Sequence, residues 1–88
     1  VQRIGVTDGV AVSVAVPINR YDGAIFALVF LNTSGGAMGA VTFAGGYNLA
    51  GAFVAPATGT NRTYWFTDDG GGTGNIHEMA RTSTDVTD

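Results

Sequence analysis

The chain reads as all-β, a small antiparallel β-sandwich or jelly-roll-like domain of about seven short strands. Three observations carry that reading. Its apolar runs are strand-sized and alternate or stay apolar throughout, with no sustained 3.6-residue periodicity. The runs are punctuated by Gly, Asn, Asp and Pro clusters, including 14 glycines in 88 residues. Threonine, valine and aromatic residues, which favour a pleated surface, fill the segments between those clusters.

Taken in order, Gln2–Val6 is the first strand, ended by Thr7-Asp8-Gly9, where Asp-Gly marks a tight turn. In the next, Val10, Val12, Val14 and Val16 share one face, and Ala11, Ser13 and Ala15 share the other. The valine face belongs to the core. The small face meets solvent or the close backbone of a neighbour. Pro17 stops the ladder, and Asn19–Gly23 turns the chain. Ala24–Leu31 is apolar at every position, as a strand buried on both faces would be. Asn32–Gly36 is a loop, with Gly35 or Gly36 expected to supply a positive φ.

Ala40–Phe43 is expected to pair back as a fourth strand. Ala44-Gly45-Gly46 reads as a bulge or corner. Tyr47–Leu49 and Ala52–Val54 are short irregular strands, and Pro56–Asn61 a turn. Arg62–Thr67 is an aromatic strand in which alternation separates Tyr64 and Phe66 from Trp65. Phe66 is expected in the core. Asp68–Gly74 is a glycine-rich loop, Ile76–Ala80 the last strand, and the rest a polar tail.

Composition narrows the function. One domain, residues 1–88, is expected, cut from or processed out of a longer chain because it begins at Val1. Chains this short bury roughly 60–65% of their unfolded surface and usually need a further source of stability. Cysteine is absent and there is one histidine, which removes disulfides and disfavours a structural zinc site. Charged residues make up 12% of the chain, the four cations are all arginine, and the net charge is −3. That disfavours nucleic acid as a partner. No apolar run has the roughly 20 residues of a membrane-spanning helix, so no membrane insertion is expected.

What remains is self-association, with the doubly apolar strand at its centre. The expected subunit interface comprises Ala11, Ser13, Ala15, Ala27, Leu28 and Val29. The remaining polar constellations are weak as chemistry. Asp68, Asp69, Asn75, His77 and Glu78 cluster near one hairpin but lack the spacing of a calcium loop. Gly70-Gly71-Gly72 has no Lys-Ser/Thr after it and reads as a loop, not a phosphate cradle. His77 and Glu78 are neighbours, so on a strand they point to opposite faces. No catalytic residue, cofactor or metal site is assigned, and the chain is expected not to be an enzyme. Arg62 and Arg81 are expected to pair with Asp68, Asp69, Glu78 or Asp85. An outward Trp65, with Tyr21 and Tyr47, is the candidate ligand contact. Asn32-Thr33-Ser34 and Asn61-Arg62-Thr63 are glycosylation triplets in expected loops.

The order of these elements carries a resemblance. Asn32–Phe43 (NTSGGAMGAVTF) precedes Gly45–Phe66 (GGYNLAGAFVAPATGTNRTYWF), an Asp-Gly turn, and Ile76–Val86 (IHEMARTSTDV). Over residues 9–86 this resembles small β-domains of phage and phage-like virion structural proteins, of the tail-fibre and receptor-binding type. The chain departs from that pattern in having Ile76-His77 where a Trp usually precedes the Glu, and in a lengthened turn from Asp69 to Gly74. The resemblance implies a non-enzymatic structural role in an extracellular virion particle, a homo-oligomer (a trimer by preference), other virion proteins as partners, and in some cases a host-surface glycan. The alternatives are a repeating subunit of an extracellular filament, a capsid decoration protein, or a lectin-like module. In the filament reading, Val1–Val6 adds to a neighbour's sheet edge.

Overall fold

The computed structural model describes residues 2–6 (backbone only), 11–15, 23–33, 35–70 and 75–87. It is all-β, as expected. Eight strands follow in chain order: β1 Gln2–Val6, β2 Val12–Val14, β3 Ile25–Asn32, β4 Val41–Phe43, β5 Tyr47–Asn48, β6 Thr60–Asp68, β7 Ile76–Arg81 and β8 Val86–Thr87. The main sheet runs β1-β3-β6-β7-β5, with β8 also paired to β6, and β2-β4 form a second, small sheet.

The pairing is mixed, not purely antiparallel. β3–β6, β6–β7 and β6–β8 are antiparallel, whereas β1–β3, β2–β4 and β5–β7 are parallel. The first four strands explain two of the parallel pairs. The chain alternates between the sheets, so β1 and β3 share one and β2 and β4 the other. A strand that crosses to the opposite layer and returns runs in its original direction. Ala40–Phe43 thus lies beside β2 and does not fold back onto β3.

The core lies between the layers. It is built from Val14, Leu28, Phe30, Tyr64, Phe66 and Ile76, with Val12, Phe26, Val41, Phe43, Tyr47, Leu49 and Phe53 packed against it. All five phenylalanines take part. Phe30 meets the rings of Phe43, Phe53 and Tyr64 edge-on, at 5.9, 4.9 and 5.7 Å between centroids. Phe66 stacks with Phe26 at 5.5 Å and meets Tyr47 edge-on at 5.3 Å. Each such pair adds about 0.5–1.5 kcal/mol beyond area burial. That density of rings is how so short a chain fills a core.

Register decides which residues face it. Phe26 pairs with Phe66 and Leu28 with Tyr64 on the core side; Ala27 pairs with Trp65 and Val29 with Thr63 on the outer side. Leu28 is therefore a core residue, and it leaves the expected subunit interface. Ala27 and Val29 do face outward, but they are only 5% and 9% exposed in the single chain. They are already buried in the single chain and offer no open surface. Ala11, Ser13 and Ala15 are exposed, as their small face predicts.

One irregularity shapes β7. Phe66 pairs with Glu78 but Trp65 pairs with Ala80, which leaves Met79 as an extra residue in a bulge. Residues three apart on a regular strand face opposite ways. The bulge instead brings Glu78 and Arg81 to the same, core-side edge.

Among the described residues, positive-φ glycines stand in three of the expected turns and not in the Asn32–Gly36 loop. Positive φ occurs at Gly23 (85°), Gly59 (74°) and Gly70 (109°), not at Gly35 or Gly36. Gly59 lies in the turn closed by Thr60 N–H donating to the Ala57 carbonyl, where an L side chain would be strained. The polar tail is not free either, since Val86 and Thr87 pair with Asn61 and Thr60. Tyr21 and the Asp8-Gly9 turn lie outside the described residues.

Candidate functional site

Two places concentrate polar chemistry. The first is an extended strap, residues 50–57, which belongs to no strand. Side chains from the sheet supply its backbone hydrogen bonds. Glu78 Oε1 accepts from Ala50 N–H at 3.0 Å. Arg81 donates to the carbonyls of Gly51 and Ala52 at 3.2 and 2.8 Å. The Tyr64 hydroxyl donates to the Val54 carbonyl and accepts from Val54 N–H, at 3.1 and 2.9 Å. Asn32 donates to the Pro56 carbonyl at 3.0 Å, and Asp85 accepts from Ala57 N–H at 3.3 Å.

The centre of that lacing is an ion pair. Arg81 forks onto Glu78, Nε to Oε2 at 2.5 Å and Nη2 to Oε1 at 2.6 Å, and the Glu78 side chain is almost fully buried. The guanidinium also sits 4.8 Å from the centre of the Tyr64 ring. The hydrogen bonds from Arg81 hold the Glu78 carboxyl below its ordinary pKa, and the same bonds raise Arg81. Arg62 makes the second expected type of pair, Nε to Asp85 Oδ1 at 2.6 Å, which lowers Asp85. These groups are structural: each is consumed by backbone or by its partner.

Strap and loop also frame a shallow groove of about 360 Å³ between residues 36–38 and 55–58. Its one ionisable lining group, Asp85, is already held by Arg62 and Ala57.

The second place is the outer face of the main sheet. Trp65 is 37% exposed there, with Ile25 at 65% and Met79 at 54%. At one end of this face His77 Nε2 lies 3.0 Å from Asp69 Oδ2, and Asn75 donates to Asp69 Oδ1. Asn48, paired with His77 across β5–β7, places its Nδ2 3.5 Å from His77 Nδ1. The hydrogen bond from Asn75, then that from His77, lower the Asp69 pKa. The expected hairpin cluster is thus divided. Asp69, Asn75 and His77 come together, whereas Glu78 faces the other way and Asp68 is buried, accepting from Gly70 N–H at 3.0 Å. Among the described residues no three His, Cys, Asp or Glu side chains converge as metal ligands do.

Of the expected ligand contacts, Trp65 is open. Tyr47 is not: its ring packs on Phe26, Phe43 and Phe66, and its hydroxyl donates to the Ala15 carbonyl at 3.0 Å. The glycosylation triplets are likewise not in loops. Asn32 ends β3, fully buried, with Nδ2 donating to the carbonyls of Gly36 and Pro56. Asn61 lies within β6, between Leu31 and Val86. Sequence reasoning missed Asn48, and it missed that Glu78, Arg81, Tyr64, Asn32 and Asp85 anchor the strap. For Asn48 the signal lay in its place beside Tyr47, one position out of phase with a core aromatic. No helix among the described residues is long and apolar enough to cross a membrane. Comparison with protein-family models, with curated proteins and with solved structures finds no match.

Proposed function

We propose that this chain is a non-enzymatic, self-associating β-domain of a virion, in a phage tail fibre, spike or related appendage, where it joins copies of itself and other virion proteins. The observation that supports self-association is the edge formed by β1. Its five residues pair with β3 in unbroken register, and among the described residues no strand pairs with its far side. Monomeric sheet proteins blunt such edges with lysine, proline or a bulge. Gln2–Val6 has no proline and no lysine, and Arg3 is its one charge. The burial of Ala27 and Val29 moves the expected contact from the face of the sheet to this edge. The tail-fibre-like order of turns supports the virion assignment.

Native mass by light scattering after size exclusion tests the reading. A closed oligomer, about 27 kDa if it is a trimer of the 9.0 kDa chain, is the expected result. A Gly5→Lys variant, which adds charge to the same edge, is expected to shift the population toward monomer. Fibrils in place of a closed particle select the filament or capsid-decoration form of association. A wild-type monomer at all concentrations overturns self-association.

A further inference from the structure

The small sheet leaves backbone hydrogen-bonding groups unspent. Its ladder bonds fix the phase of β4: Val12 N–H donates to the Ala40 carbonyl and Ala44 N–H to the Val14 carbonyl, at 2.8 and 2.9 Å. In a parallel pair, alternate residues of a strand bond to the neighbour. β4 therefore turns Ala40, Thr42 and Ala44 toward β2, and the N–H and C=O groups of Val41 and Phe43 toward its far edge. Among the described residues no hydrogen bond reaches those outward groups, and no strand lies beside them. The local sequence does not guard the edge either. Residues 40–44 read Ala-Val-Thr-Phe-Ala, without charge, proline or glycine, and Thr42 is exposed.

We infer, resting on the reading that β1 is an associating edge, that the far edge of β4 receives the β1 strand of a second copy. A trimer cannot be built by joining like to like. Its interface is heterologous, so β1 must meet a different surface of the next chain. The other edges are poorer acceptors. At the opposite side of the main sheet β5 is two residues long, and the strap beside it is tied to Glu78 and Arg81. β8 is also two residues long. Just past β2 the Ala15 carbonyl already accepts from the Tyr47 hydroxyl at 3.0 Å. β4 offers donors and acceptors at alternate positions of an uncharged strand, the pattern that strand addition uses.

Joined in this way, the main sheet of one copy continues into the small sheet of the next. Val41 and Phe43 keep their side chains on the core, so the contact draws on backbone and leaves the packing as it is. Each chain gives one edge and receives at another, and such contacts close as a ring or run on as a filament.

The chain has no cysteine, so an introduced pair reports without background. Arg3→Cys, Ile4→Cys and Gly5→Cys are each mixed with Thr42→Cys, at a concentration where the wild type associates, and oxidised. A disulfide-linked dimer is expected from at least one mixture and from no variant by itself, since the bond needs Cα atoms within about 7 Å. Val41→Pro gives a second readout. It removes one outward N–H and leaves the ladder to β2 intact, as proline does on an edge strand. Association is expected to weaken by about tenfold or more, with the far-ultraviolet circular dichroism unchanged. In the wild type, the Val41 and Phe43 amides are expected to gain protection from hydrogen exchange as protein concentration rises. Cross-linking of a single variant with itself shows like-to-like pairing, and it overturns the inference while self-association stands. So does an oligomer that cross-links in none of the mixtures, or one whose mass survives Val41→Pro. A wild-type monomer at all concentrations defeats the underlying reading and this inference with it.

Discussion

The strap of residues 50–57 and Asp69, just past the end of β6, both lie outside the strands, and side chains hold both. They differ in where those side chains sit. Glu78, Tyr64 and Asn32, which anchor the strap, are buried, whereas the Asp69 and His77 side chains are 48% and 42% exposed. A hydrogen bond to a buried anchor cannot be exchanged for water without cost, so the strap is part of the folded core although it is irregular. An exposed pair competes with solvent at every moment and is worth little. Irregular backbone is thus not the same as loosely held backbone.

That contrast is open to attack, most severely at Arg81. An Arg81→Leu substitution leaves the Glu78 carboxylate buried without its partner and frees the carbonyls of Gly51 and Ala52. A loss of about 3 kcal/mol is expected in urea unfolding, the lower end for breaking a buried pair because Arg81 is partly exposed. Equal stability of the variant and the wild type would show that the strap is not fastened by this pair. Tyr64→Phe keeps the ring and removes only the hydroxyl, stranding both polar groups of Val54. About 1–3 kcal/mol is expected by the same measurement. Hydrogen exchange at Val54 should rise with it.

Acid sharpens the comparison most finely. Glu78 has a folded-state pKa below its ordinary value, so its contribution is present above about pH 4.3 and is lost as the pH falls through that value toward the depressed one. Stability is therefore expected to fall on the acid side of pH 4.3. Glu78→Gln should flatten that dependence, because the amide does not titrate. Asp69 is also depressed but exposed, and Asp69→Asn should leave most of the acid dependence in place. Thermal melts of the three proteins between pH 3 and pH 7 separate the two.

Much of the strand map was legible in the residues. β1 and the burial of Phe66 opposite an outward Trp65 follow from local punctuation and alternation. Pairing was less so, because five of the six ladders among the described residues join strands that are not consecutive, and three of those five are parallel. Leu28 shows a different limit. In a run that is apolar at every position, alternation carries no signal, so nothing in Ala24–Leu31 separates the core side from the outer side. The strap was hidden for a third reason. Its hydrogen bonds go to Glu78, Arg81, Tyr64, Asn32 and Asp85, which are scattered along the chain, and no repeat in residues 50–57 records them. Asn32 reads as a modification triplet only until its amide is seen spent on two carbonyls.

The bulge at Met79 has a consequence for how this chain tolerates change in length. Side chains on β7 are read in a phase of two, and Met79 is the one residue that shifts that phase. Removing it would leave Glu78 and Arg81 two apart on a plain strand, still on one face and still opposite Phe66 and Tyr64. At this position a deletion is expected to be absorbed, whereas a single-residue insertion between His77 and Glu78 would turn the residues beyond it to the opposite face.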